Sequence, residues 1–209
     1  MSLHPRVEPE LDTLVALFYD APERLADFIE VQAAEMPPVY QRLLAHDQHM
    51  TVTVEQRHGS IVDVRVLATN RRGLSPFVES SEQKGTVPLS SDGSRTEGPH
   101  YARKILLTRQ SDGRVVQFGI VRMDFRFFTD EVRREIESQT TPLGRILIRH
   151  NVHREVELCK LWHVAPGEDL CKLFNISEAD HTYGRTALIH CNGQPAIELL
   201  EIVTPESLV

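Results

Sequence analysis

The chain has 209 residues, 41% of them hydrophobic and 25% charged, and a formal net charge of -7. That length and balance suit one ordinary globular domain and exclude a largely disordered chain. The acidic charge disfavours a general nucleic-acid-binding surface, and the apolar runs fall far short of the ~20 residues that span a bilayer.

Met1 to Leu11 is charged, holds two prolines and lacks the apolar core of a secretory signal. Residues 12–35 read as helix, because Leu14, Leu17, Phe18, Leu25, Phe28 and Ile29 recur at helical spacing, with a break at Ala21-Pro22. Pro37-Pro38 ends that region, so residues 1–38 form a helical N-terminal extension, and a short helix follows from Val39 to about His46. Thr51 to Glu55 alternates, with Val52 and Val54 on one face. Gly59-Ser60 supplies a turn, and Ile61 to Leu67 alternates again. This predicts a hairpin pairing 51–58 with 61–68. Residues 70–100 are rich in Gly, Ser, Pro and charge and read as a long loop.

A second hairpin is expected from Tyr101 to Arg109, through Ser111-Asp112-Gly113, and back over 114–124. Thr129 caps a helix running through Ser138, and Pro142 starts another over Leu143 to Arg149. Glu155 to Val164 reads as a strand and Gly167 to Phe174 as a short helix. Tyr183 to Cys191 and Pro195 to Thr204 flank Asn192-Gly193, the strongest short hairpin signal in the chain. Hairpins dominate and no βαβ alternation appears. The expected fold class is therefore α+β: one domain over 1–209, with a single antiparallel sheet of about six strands and helices packed on one face.

Cys159, Cys171 and Cys191 form no CxxC pair, which disfavours a disulfide framework or zinc ribbon and fits a reducing cytoplasm. His46 and His49, and His150 and His153, stand three apart, but no third ligand or HExxH pattern accompanies them. No metal site is expected.

The informative residues are charges on rows that should be apolar. Arg103 shares a strand face with Tyr101, Ile105 and Leu107, and Arg122 with Val116, Phe118 and Ile120. Glu201 shares one with Ile197, Leu199 and Val203, while Glu198 lies on the opposite face. A buried charge costs several kcal/mol unless it is paired or meets a ligand. Two readings stay open: internal pairing, for example Arg103 with Glu201, or a pocket in which an arginine holds a carboxylate and a carboxyl group handles a proton.

Four stretches, in order, resemble the chorismate lyase family. They are Leu43-Leu44 with His49-Met50-Thr51 and Glu55; Tyr101-Ala102-Arg103-Lys104-Ile105-Leu106-Leu107; Thr141-Pro142-Leu143-Gly144-Arg145; and Gly193-Gln194-Pro195 followed by Glu201 and Pro205. The resemblance implies a six-stranded antiparallel sheet and a buried ligand site. It also implies a cofactor-free reaction in which chorismate loses pyruvate to give 4-hydroxybenzoate. Carried over by position, Arg103 would grip the ring carboxylate, the backbone at Met50 beside Thr51 would add a hydrogen bond, and Leu143 and Gly144 would form the apolar wall. Glu201 would face the ether oxygen. The family's Gly-Arg-Thr is Gly119-Ile120-Val121 here, so its second arginine is absent, and Arg122 is the candidate replacement. The partner expected is an aromatic or cyclohexadiene carboxylate, not a nucleic acid or a membrane, with the oligomeric state left open. The alternative is a non-catalytic effector-binding protein of the same fold, of the UTRA type found in bacterial transcription regulators.

Overall fold

The computed structural model describes residues 9–71 and 100–206; nearly all of the stretch expected as a long loop lies outside them. Among these residues seven antiparallel strands form one sheet. In chain order they are β1 (Ala26–Val31), β2 (Val62–Asn70), β3 (His100–Arg109), β4 (Val115–Asp124), β5 (Arg154–Pro166), β6 (Thr182–Cys191) and β7 (Gln194–Val203), and the order across the sheet is β1-β5-β6-β7-β4-β3-β2. Among the described residues six α-helices accompany them: α1 (Leu11–Ala16), α2 (Pro38–Leu44), α3 (Met50–His58), α4 (Asp130–Ser138), α5 (Leu143–Arg149) and α6 (Glu168–Phe174). The α+β class and the single antiparallel sheet agree with the sequence reading, with seven strands in place of six.

Two hairpins form as their turns predict. Across β3–β4, Arg103 faces Val121, and across β6–β7, Arg185 faces Glu201. At the β6–β7 turn, Asn192 and Gly193 both take positive φ, 53° and 78°, which is what a two-residue turn needs to match strand twist. Thr129 caps α4 by accepting from Val132 N–H, and Val132 and Ile136 bury the face that follows.

Two segments differ from the sequence reading. The first is 51–58, expected as a strand of a hairpin but folded within α3 (Met50–His58). The alternation of Val52 and Val54 fits a strand, yet Met50 and Val54 are also one helical turn apart, and both are buried. Gly59 closes the helix with a left-handed φ of 58°. Glu55 accepts from Arg145 on α5 and from the Val62 amide at the start of β2. β2 therefore pairs with β3 rather than with 51–58. The second is 12–35. Only α1 is α-helical there; Pro22–Arg24 is a short 3-10 turn, and β1 pairs with β5 at the sheet edge. The N-terminal region thus contributes a strand to the sheet and is not a purely helical extension.

The larger helical layer lies on one face, where α2, α3, α4 and α5 pack in two apolar groups. The opposite face carries a thinner cover: Leu14 and Val15 of α1 and Leu170 and Phe174 of α6 lie over Phe118, Ile120, Leu200 and Ile202. β4 and β7, in the middle of the sheet, are therefore buried on both sides and read as almost continuously buried strands.

Candidate functional site

The cavity-facing row of β3 is Arg103, Ile105 and Leu107, and cross-strand pairing extends it to Val121, Gly119 and Gln117 on β4. Leu199 and Glu201 of β7 face Val121 and Gly119 in turn, and Arg185 of β6 faces Glu201. Gly119 keeps the middle of this floor low, since a Cβ there would come within 3.2 Å of the Ile105 side chain. The roof is built by the starts of α3 and α5. Gly144 lets them meet closely, because its Cβ would lie 3.1 Å from Thr51 Oγ1. Between floor and roof is a cavity of about 40 Å³, room for about three waters. A ring-sized occupant therefore requires the roof to lift.

Six of the seven residues named from sequence line this cavity: Arg103, Glu201, Met50, Thr51, Leu143 and Gly144. Arg122 does not. It points to the other face of β4, where its Nε donates to Glu198, so it cannot replace a second arginine in the site. That pair is buried, and burial raises the Glu198 pKa more than Arg122 lowers it.

Arg103 is fully buried, and none of its three guanidinium nitrogens has a hydrogen-bond partner among the described residues. Burial lowers its pKa to about 10, which still leaves it charged at neutral pH. The internal pairing entertained for it does not form, because Glu201 is engaged elsewhere. Glu201 Oε2 accepts from Arg185 Nε at 2.8 Å and Oε1 from Gln117 Nε2 at 3.3 Å. Arg185 continues to the α2–α3 connection, donating to the carbonyls of His46 at 2.8 Å, Gln48 at 3.0 Å and Leu44 at 3.4 Å.

The start of α3 supplies the second electropositive element. His49 is its N-cap and makes no side-chain cap. The helix's hydrogen bonds begin with Val52 N–H donating to His49 O, so the amides of Met50 and Thr51 precede the ladder. A nine-residue helix directs its positive end toward the same cavity that holds Arg103. An anion placed there meets a desolvated guanidinium and peptide donors together.

Sequence reasoning missed Arg185 and Gln117. Both stand on rows that are otherwise apolar or small, Arg185 with Ala187 and Ile189, and Gln117 with Gly119, Val121 and Met123. The row test that isolated Arg103 finds them when it is applied to β6 and β4. His49, of the His46 and His49 pair that lacks a third ligand, borders both this cavity and a broader open groove beside it. Its Nε2 accepts from Arg154 Nε at 2.7 Å, and its pKa is pushed down to about 4 by burial, with Arg154 and Arg185 adding to the effect. Among the described residues no cluster of three or more His, Cys, Asp or Glu groups is placed to hold a metal, and no helix is long and apolar enough to cross a membrane.

No protein-family model matches the sequence, and no curated protein matches it. Among solved structures, PhnF from Mycobacterium smegmatis is similar at a TM-score of 0.51 and 10% identity, over 75% of this chain and 64% of that one. This chain thus spans less than two thirds of that protein's length. The effector domain of the same protein is similar at a TM-score of 0.51 and 11% identity, over 75% of this chain and 88% of the domain. Identity at that level shows a shared fold, and the effector domain is the part of that protein the fold covers.

Proposed function

We propose that this chain is a small-carboxylate-binding domain whose ligand sits between the sheet and the α3–α5 roof. The observation that carries this reading is Arg103. A fully buried guanidinium without a partner among the described residues is costly to keep. An anionic ligand is the simplest compensation, and the amides of Met50 and Thr51 stand ready to share it. Leu143, Val121 and Leu199 give the apolar wall that a ring or short hydrocarbon requires. The fold shared with an effector domain supports binding as the output. One domain over 1–209 and a cytoplasmic setting belong to the same reading, which suits three free cysteines.

A lyase acting on chorismate is the second reading, favoured by one fact: Glu201 lines the same cavity as Arg103. Its carboxylate is, however, held on both oxygens by Arg185 and Gln117, as a structural partner would be.

One experiment separates the readings. Benzoate, 4-hydroxybenzoate and chorismate are titrated against the protein by calorimetry, and pyruvate release from chorismate is followed with a coupled assay. The expected result is saturable binding of carboxylates, lost in Arg103→Met, and no pyruvate above background. Pyruvate release that depends on Glu201 would establish the lyase; carboxylate binding that is indifferent to Arg103 would defeat the anion site.

A further inference from the structure

The cavity contains a second buried group without a partner among the described residues, and it has the opposite hydrogen-bonding sense. Gln117 is 2% exposed, and its Oε1 accepts no hydrogen bond. The orientation of its carboxamide is fixed by chemistry: Nε2 donates to Glu201 Oε1, and a flipped amide would set two oxygens against each other. The acceptor without a donor therefore belongs to a residue that lines the cavity. Gln117 and Arg103 occupy opposite ends of the floor, since Leu107 faces Gln117 and Arg103 faces Val121. Their backbone stations lie about 13 Å apart along β4 by strand rise. Any occupant, water included, must accept at the Arg103 end and donate at the Gln117 end.

We infer that Gln117 is a specificity-determining residue, selecting ligands that carry a hydrogen-bond donor, a hydroxyl or an amine, at the end remote from their carboxylate. The inference rests on the carboxylate-binding reading and narrows its ligand class. A ligand without the donor leaves Gln117 Oε1 buried and unsatisfied. A site built to bond a hydroxyl rejects the analogue lacking it more strongly than an apolar site rejects one bearing it. Each Glu201 oxygen already receives one donor from the protein, so the acceptor left with no donor at all is Gln117 Oε1.

The test uses two isosteric pairs. 4-Hydroxybenzoate is compared with 4-fluorobenzoate, and 6-hydroxyhexanoate with heptanoate, by calorimetric titration of the wild-type chain. The hydroxy acid of at least one pair should bind about tenfold tighter or more, the usual consequence of one satisfied buried acceptor. Equal affinities within both pairs would overturn the inference. In Gln117→Met, which keeps the side-chain volume, the ratio within the preferred pair should fall to near one, with a cooperative melt confirming the fold. A ratio that survives the substitution would also overturn it. Because the wild-type ratio needs no variant, a poorly folded Gln117→Met does not remove the test. Arg103→Met separates the two claims. If it binds both members as tightly as wild type, the anion anchor is wrong. If it binds neither, and the wild-type ratio is one, only the role of Gln117 fails. Binding of none of the four acids by wild type would overturn both.

Discussion

Arg185 and Glu201 face each other across the β6–β7 ladder, joined by Nε–H donating to Oε2 at 2.8 Å. The rest of the Arg185 guanidinium reaches the carbonyls of Leu44, His46 and Gln48. One side chain therefore ties the floor of the cavity to the segment that leads into α3. The Arg185 side chain is 1% exposed and that of Glu201 9%, so both charges are almost wholly withdrawn from bulk water. Such a pair is weak as a source of stability compared with two well-packed apolar residues, but breaking it from one side is expensive.

Arg185→Met should accordingly lower stability by about 3 kcal/mol or more, since Glu201 is left buried with only Gln117 as donor. Arg185→Met combined with Glu201→Met should cost distinctly less than the sum of the two single changes. Urea unfolding of the four proteins measures the coupling. Additive losses would mean that the two side chains do not act as a pair.

Arg103→Met should do the reverse and stabilise the unliganded protein, by about 1–3 kcal/mol, because it replaces an unpartnered buried charge with an apolar side chain of similar length. The same change should abolish carboxylate binding. A melting temperature that rises while ligand-induced stabilisation disappears is the expected pattern. A fall in stability would mean that Arg103 has a structural role.

His49 predicts a pH dependence. Its pKa is about 4 in the folded chain, against 6.5 for the ordinary side chain, chiefly through burial. Between those values the unfolded chain holds a proton that the folded chain does not, so stability falls as the pH drops from about 6.5 toward 4 and loses nothing further below that. Protonation would also set the imidazolium against Arg154, whose Nε now donates to it. Allowing for its partial exposure, the loss should be about 2 kcal/mol. His49→Gln keeps an acceptor for Arg154 but does not titrate. The stability difference between wild type and this variant, measured at several pH values, should shrink or reverse over that window; parallel curves would refute the assignment.

Arg122 offers a contrast on the other face of the same strand. Arg122→Met should leave benzoate affinity within about twofold. It should still destabilise the fold by about 3 kcal/mol, because Glu198 remains buried after its ion partner is gone. A large loss of affinity with little loss of stability would return Arg122 to the site.

The local chemistry of the chain determined much of this arrangement. Asn192-Gly193 and the Asp112-Gly113 turn set two hairpins, because few residues accept the backbone angles that such turns demand. Thr129 and Pro142 marked the starts of α4 and α5 through ordinary end effects. Arg103 and Glu201 stood out because a charge on an apolar row requires an explanation wherever the row packs. Tertiary structure decided the rest. Residues 50–58 carry a β-branched alternation that favours a strand, but packing against α5, β2 and β3 rewards a helix, and burial outweighs a propensity worth tenths of a kcal/mol per residue. Residues 26–31 have helically spaced apolar side chains, yet they complete the exposed edge of β5, whose backbone groups need a partner. Which charge meets which was decided in three dimensions as well. Strand order places β6 beside β7 and gives Glu201 to Arg185, the parity of β4 sends Arg122 to the opposite face, and Arg103 is left in the cavity with no hydrogen-bond partner among the described residues. Sequence fixes the row on which a side chain stands, but its partner depends on long-range strand pairing that no local pattern encodes.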